Sequence, residues 1–289
     1  QFIGIGFHRP HIQLGNLRGD ISRVKGDLPD YRTPSGDFLR SLSHRSNNDL
    51  KWATFPNGGS VVKGGAMENL FQARYDREVR NLRRHYYASV LSTKEKLLSV
   101  LRFLKKNSKI YARSRLFFTS DHGYHLGEQR LMGKNGLYPH STDVPFIVHP
   151  RALVSLSAAT TGSVIPFAPT VPPQVSTTEL FNLITKGGIS NWDAPVTFYP
   201  RCQPLGEIQT KDCMDGKDKL LFMGIAISTR RYRYIQWKSI ADGRIVEEAM
   251  YDLNEDGTFK NIQIDKISDP TLRTDVGRFR DIAVAKGGL

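Results

Sequence analysis

The stretch Phe117-Phe118-Thr119-Ser120-Asp121-His122-Gly123 constrains the fold more than any other part of the chain. Residues 115–119 read as a buried strand whose carboxyl end delivers an ionisable pair, Asp121 and His122. A polar loop punctuated by Gly123, Gly127 and Gly133 follows, and a second apolar strand opens over 144–149. In open α/β sheets, ligands collect just beyond the carboxyl ends of strands. Asp121 and His122 therefore stand where chemistry is expected.

The rest of the chain supports an α/β class. Residues 1–7 read as another strand, expected in one large sheet beside the other two. Leu70, Tyr75, Val79, Leu82, Tyr86, Val90, Leu97, Leu101 and Leu104 recur mostly three or four residues apart, which predicts a helix over 68–106. The polar stretch up to residue 65 and the Ser/Thr/Pro/Ala-rich residues 151–175 read as loops, and 176–186 reads as a short helix stopped by Gly187-Gly188. Residues 220–228, 231–238 and 245–253 read as short antiparallel strands joined by Gly and Asp turns. The expected organisation is an α/β domain over 1–213 and a small antiparallel subdomain over 214–289. At 289 residues the chain can bury a large core.

A formal net charge of +13 favours polyanionic partners, and nucleic acid and sulfated polysaccharide both fit that description. The basic residues are scattered, with local clusters such as Arg83-Arg84 and Arg230-Arg231-Tyr232-Arg233. No helix-turn-helix, zinc-finger or RNA-binding signature accompanies them, so a solvated basic surface is the reading and no nucleic-acid partner is expected. No apolar run is long enough to span a bilayer. The chain opens directly on its apolar run, without an initiator Met or signal peptide, and is expected to be cut from a longer one with its localisation signals upstream.

Several residues carry chemistry. Asp121 and His122 are adjacent, so on a regular strand they would face opposite ways. To share an ion they must lie where the backbone turns, which Gly123 permits. Taken alone, Asp-His-Gly reads equally as an Asp capping a turn above a packed His. Lys134 sits in a loop with Asn135 and Gly136, and its compact ammonium suits a sulfate or phosphate oxygen, although most lysines are simply exposed. Cys202 and Cys213 bracket a Gly- and Pro-containing loop, and spacing alone leaves them between one small disulfide and two free thiols.

The whole run from Phe117 through Gly133-Lys134 to Val144-Pro145-Phe146 resembles the second metal-ligand motif of the sulfatases, in the alkaline phosphatase superfamily. The Asp-His pair, rather than Asp-Asn, is similar to the iduronate-2-sulfatase branch. The resemblance implies an alkaline-phosphatase-like sandwich, with the chain as its C-terminal part. It implies Asp121 and His122 as ligands of one divalent cation, calcium being usual, and Lys134 as the residue that grips the sulfate. Phe7-His8-Arg9-Pro10-His11 resembles a segment whose second His contacts the ester, so His11 inherits a proton-donor role that suits imidazole. Tyr124 matches an aromatic position near the sugar, with core packing as its competing reading. Ser228 to Trp237 and Met250-Tyr251-Asp252-Leu253 resemble two further family segments and read as fold markers. A Pro-Arg-Cys segment like that at 200–202 tips Cys202 and Cys213 toward a disulfide, and with it toward a lysosomal or secreted protein.

The family also needs Cys-x-Pro-x-Arg or Ser-x-Pro-x-Arg, whose first residue becomes the formylglycine nucleophile, and an upstream Asp-Asp pair. Cys202-Gln203-Pro204-Leu205-Gly206 has the Cys and Pro but Gly in place of Arg. Three readings follow from this. The first is a fragment of a sulfatase acting on sulfate esters of glycosaminoglycans, inactive alone. The second is a phosphatase or phosphodiesterase of the same superfamily. The third is a non-catalytic polyanion-binding protein on the same fold.

Overall fold

The computed structural model describes residues 3–7, 21–24, 73–126, 132–134, 136–149, 176, 194–202, 219–229, 231–252 and 267–287. The chain divides into two compact units, Gln1–Asp30 with Met67–Leu116, and Tyr31–Ala66 with Phe117–Leu289. Among the described residues, no helix is long and apolar enough to cross a membrane.

The first unit is built on helix α1 (Ala73–Lys106), the helix that the leucine spacing predicts. Leu97, Leu101 and Leu104 are half-buried on one stripe, and Ala88 is fully buried. A short 3-10 turn, Ile21–Arg23, is tied to α1 by the Arg23 guanidinium, which donates to both carboxylate oxygens of Glu95. Helix α1 stops at Asn107, whose side chain donates to the Phe103 carbonyl at 2.9 Å, and α2 (Ser108–Arg113) follows. A strand is expected over 1–7, and its described part, residues 3–7, is not one. Residues 3–7 carry no ladder, and Ile3 and Ile5 are exposed rather than buried as a central strand requires.

The second unit holds the strands. β1 (Phe117–Thr119) pairs antiparallel with β4 (Phe146–Val148), and Phe117 stacks on Phe146 across the pair. Between them, β2 (His125–Leu126) and β3 (Met132–Gly133) form a two-stranded ladder, and helix α3 (Pro139–Thr142) makes one turn. The largest sheet is antiparallel, in the order β5 (Val196–Arg201), β6 (Phe222–Ser228), β7 (Tyr232–Ser239), β8 (Ile245–Asp252). Its last three strands lie where the aromatic and β-branched runs place them, with Gly243 at φ +69 in the turn before β8. Strand β5 lies ahead of residue 214, so the sheet straddles the boundary expected between 213 and 214. It carries Pro200, which an edge strand tolerates because no ladder bond is lost.

Strand β7 is buried on both faces. On one face Tyr234 stacks on Phe279 of α4 (Arg273–Gly287), whose Val276, Phe279 and Ala283 form a stripe against Ile225, Ile227 and Met250. On the other face the Trp237 ring lies over Gly224 and meets Tyr199 edge-on, while fully buried Leu137 reaches the same glycine. A Cβ at position 224 would sit 2.7 Å from the Trp237 ring and 2.8 Å from Leu137, so only glycine lets the chain approach so closely. Each large apolar side chain buried in this way contributes about 1.5–3 kcal/mol.

Arg280 of α4 grips Glu248 of β8 at 2.7 and 2.5 Å, and the Tyr234 hydroxyl donates to the same carboxylate. Burial alone would raise the Glu248 carboxyl, but these hydrogen bonds and the Arg280 charge outweigh it and hold it below the usual range. A carboxyl depressed by folding contributes stability above its unfolded pKa of about 4.3 and loses it as pH falls through the folded value. Glu248→Gln is therefore expected to lower stability at pH 7 by about 1 kcal/mol or less, since Arg280 is half exposed and screened. Urea titrations at a series of pH values should show that deficit closing toward pH 3. A constant deficit across the series would refute this account.

Candidate metal and anion site

Strand β1 ends because side chains next to it take over the backbone's hydrogen bonding. The Asp121 Oδ1 accepts the His122 N–H at 3.0 Å, and the Ser120 hydroxyl lies 3.0 Å from the His122 carbonyl and 3.3 Å from Asp121 Oδ1. The chain turns there, so the two side chains no longer point to opposite faces. His122 Nε2 lies 3.4 Å from Asp121 Oδ2. Burial alone would raise the Asp121 carboxyl, but the His122 charge, the N–H groups of Asp121 and His122 and the Ser120 hydroxyl hold it below the usual range. It is a carboxylate at neutral pH.

Gly123 fastens this turn to α3. Its N–H donates to the Ser141 carbonyl at 2.8 Å, and an added Cβ would sit 2.1 Å from the His140 carbonyl oxygen. The Gly123 carbonyl in turn faces His122 Nδ1 at 2.8 Å. The β2–β3 ladder pairs His125 with Gly133 and so returns the next residue, Lys134, to the same place. Its Nζ lies 2.8 Å from His122 Nε2. An ammonium can only donate, so Nε2 accepts, and the ring proton resides on Nδ1, donating to the Gly123 carbonyl.

These features fit a divalent cation. Two donors each about 2.4 Å from one ion and about a right angle apart are separated by about 3.4 Å, which is the spacing between Asp121 Oδ2 and His122 Nε2. The tautomer leaves a lone pair on Nε2, and the backbone carbonyl that fixes it is the usual partner behind a ligating imidazole. Two ligands make only part of a cation's shell. Among the described residues, no group of three or more His, Cys, Asp or Glu side chains completes it.

Asp121, His122 and Lys134 thus come together, with Asp121 and Lys134 open to solvent. Tyr124 is half-buried nearby in sequence, and burial pushes its phenol above the usual range, so it remains neutral. His125 is buried against His140 and Tyr138. His11 and Cys213 lie outside the described residues. No free cysteine thiol occurs among the described residues, Cys202 included.

One residue of consequence lies in a segment that reads in the sequence only as a fold marker. Arg233 of β7 is buried, and its guanidinium holds the segment that carries α3. Its signal in the sequence is a charge inside a run, Tyr232 to Trp237, with no apolar–polar alternation. Such a run implies burial on both faces, and a buried guanidinium must be paired.

Comparison with known proteins adds three findings. The sulfatase family profile matches residues 29–174, just over half of the chain and the part that carries Asp121, His122 and Lys134. Arylsulfatase K of Xenopus laevis is 23% identical over 265 residues, covering 88% of this chain and 46% of the relative. A phosphonate monoester hydrolase from Silicibacter pomeroyi superposes with a TM-score of 0.55 at 14% identity, covering 94% of this chain and 52% of the other. The chain spans about half the length of the relatives it matches. The α/β fold is that of the sulfatase and alkaline phosphatase superfamily.

The contact of Gly123 with α3 makes a prediction. Gly123→Ala should cost about 1–3 kcal/mol, as overpacking against backbone does, and should displace the His122 ring resonances in an NMR spectrum. Gly277→Ala, in open space on α4, should disturb neither. Unchanged His122 resonances in a folded Gly123→Ala variant would contradict the packing described.

Proposed function

The chain belongs to the sulfatase family, and on that premise we propose that it supplies one side of an active site that hydrolyses sulfate esters. Asp121 and His122 hold a divalent cation in this reading, and Lys134 grips the sulfate. The observation that carries it is the convergence of three groups at the end of one strand: a carboxylate, an imidazole lone pair 3.4 Å from it, and an ammonium 2.8 Å from that imidazole. A bound cation supplies electrostatic stabilisation of the negative charge on the sulfate oxygens.

The residues of this chain divide the remaining work. His122 Nε2 has one lone pair, now committed to Lys134, so a cation held by the pair would leave the Lys134 ammonium available to an anion. Positive charge placed where negative charge develops is most effective in a site that excludes water. His11 is proposed to protonate the leaving oxygen, and Tyr124 to face the sugar. The family resemblance favours calcium, which oxygen ligands suit best, and formylglycine as the nucleophile. Residues 1–289 contain neither Cys-x-Pro-x-Arg nor Ser-x-Pro-x-Arg, so this chain by itself is proposed to be inactive. The net charge of +13 supports polyanionic esters such as sulfated glycosaminoglycans, and the Asp-His pair supports an iduronate-2-sulfatase-like specificity.

The experiment compares residues 1–289 with the longest polypeptide encoded by the same transcript, each expressed with a formylglycine-generating enzyme. Turnover of 4-methylumbelliferyl sulfate by the longer protein alone is expected. Lys134→Met should lower its kcat/KM by roughly 10²–10³-fold, the usual loss for one preorganised charge-stabilising group. Preference for the corresponding phosphate ester would favour a phosphatase, and binding of heparin without turnover of either ester would favour a polyanion-binding protein.

A lysosomal or secreted location is proposed from the resemblance, together with a Cys202–Cys213 disulfide. Mass spectrometry of alkylated, non-reduced protein should find both cysteines unlabelled. Two labelled thiols would remove the bond and weaken the proposed compartment.

A further inference from the structure

The guanidinium of Arg233 is nearly sealed from solvent, with its side chain 2% exposed. Its Nε donates to the Leu137 carbonyl at 2.9 Å, and one terminal nitrogen donates both to that carbonyl and to Thr142 Oγ1, the latter at 2.8 Å. The other terminal nitrogen donates to the Ser228 hydroxyl and lies 3.9 Å from Asp143 Oδ1. Leu137 and Asp143 flank the turn of α3, which is closed internally by Ser141 N–H to the Tyr138 carbonyl at 2.9 Å and Asp143 N–H to the Pro139 carbonyl at 2.6 Å. The turn therefore moves as one piece, and Arg233 holds it at both ends.

On its far side the same turn receives Gly123 through the Ser141 carbonyl. The Gly123 carbonyl then sets the proton on His122 Nδ1 and leaves Nε2 unprotonated, facing Lys134. We propose that Arg233 is a positioning residue for the Asp121–His122 pair, fixing through α3 and Gly123 which ring nitrogen of His122 faces the site. This rests on the reading of that pair as cation ligands. No neutral side chain offers the forked donors that Arg233 uses. Lysine keeps the charge but cannot reach Leu137, Thr142 and Ser228 together from one ammonium.

The test uses the full 289-residue chain with Arg233→Lys, Arg233→Met and, as a control for stability alone, Arg280→Met, which breaks the Glu248 pair on the opposite face of the sheet. Long-range proton–nitrogen NMR at fixed pH reads the His122 tautomer, and terbium luminescence reads cation binding. Both Arg233 variants should shift His122 from the Nδ1–H form to a mixture and weaken terbium binding roughly 10- to 100-fold, the usual cost of losing a group behind a metal ligand. Arg280→Met should lower the melting temperature and leave both readouts unchanged. Should the Arg233 variants fail to fold, Thr142→Val removes one of the contacts and should shift the tautomer in the same direction by less. An unchanged His122 tautomer in a folded Arg233→Lys or Thr142→Val chain overturns the proposal. Absence of terbium binding in the unsubstituted chain would count against the cation reading, while the tautomer would still decide the role of Arg233.

Discussion

A guanidinium that cannot reach water must find its hydrogen-bond acceptors inside the protein, and this constraint organises the second unit. Arg233 is the second residue of β7 and opens its buried stretch, where an unpaired charge would cost several kcal/mol. Two of its acceptors, the Leu137 carbonyl and the Thr142 hydroxyl, come from a segment 96 and 91 residues earlier in the chain. Once they are in place, Leu137 and Tyr138 are pressed onto the sheet, the Tyr138 and Tyr251 hydroxyls meet at 3.2 Å, and Leu137 reaches Gly224 beside the Trp237 ring. The apolar contacts stabilise this face. The charge specifies which segment covers it.

The site then follows from backbone geometry more than from its own side chains. Asp121 and His122 have few contacts able to hold them, and Asp121 is largely exposed. Their arrangement comes from Gly123, whose N–H and carbonyl are both engaged, one by α3 and one by the imidazole. Lys134 arrives by a separate route, the β2–β3 ladder. Three functional groups thus converge through two short structures, each anchored by main-chain hydrogen bonds that leave little rotational freedom.

The part of the chain that the family profile covers ends before the antiparallel sheet begins. The chemical groups and the residue that orients them are therefore far apart in sequence. Their connection is a chain of short contacts: guanidinium to carbonyl, turn to glycine, glycine to imidazole. A rigid sheet, packed on its other face by α4, gives that chain a fixed end.

Much of this was legible in the residues alone. Leucine spacing marks α1, aromatic and β-branched runs mark β6, β7 and β8, and an apolar run that stops at Asp121-His122 marks the candidate site. Periodicity and strand-end position depend on neighbours a few residues away, so a linear pattern carries them. The strand β5, with its Pro200, and helix α4, with Gly277 inside it, form against their own local signals because the sheet gives them apolar surface to cover. Residues 3–7, the described part of the strand expected at 1–7, stay outside any ladder for the converse reason, an apolar run with no partner among the described residues. Which nitrogen of His122 is unprotonated, how close Lys134 comes, and that Arg233 holds the α3 turn were decided by tertiary structure. Those facts depend on contacts between distant segments, and a charge in a strand looks the same in sequence whether it faces water or a buried carbonyl.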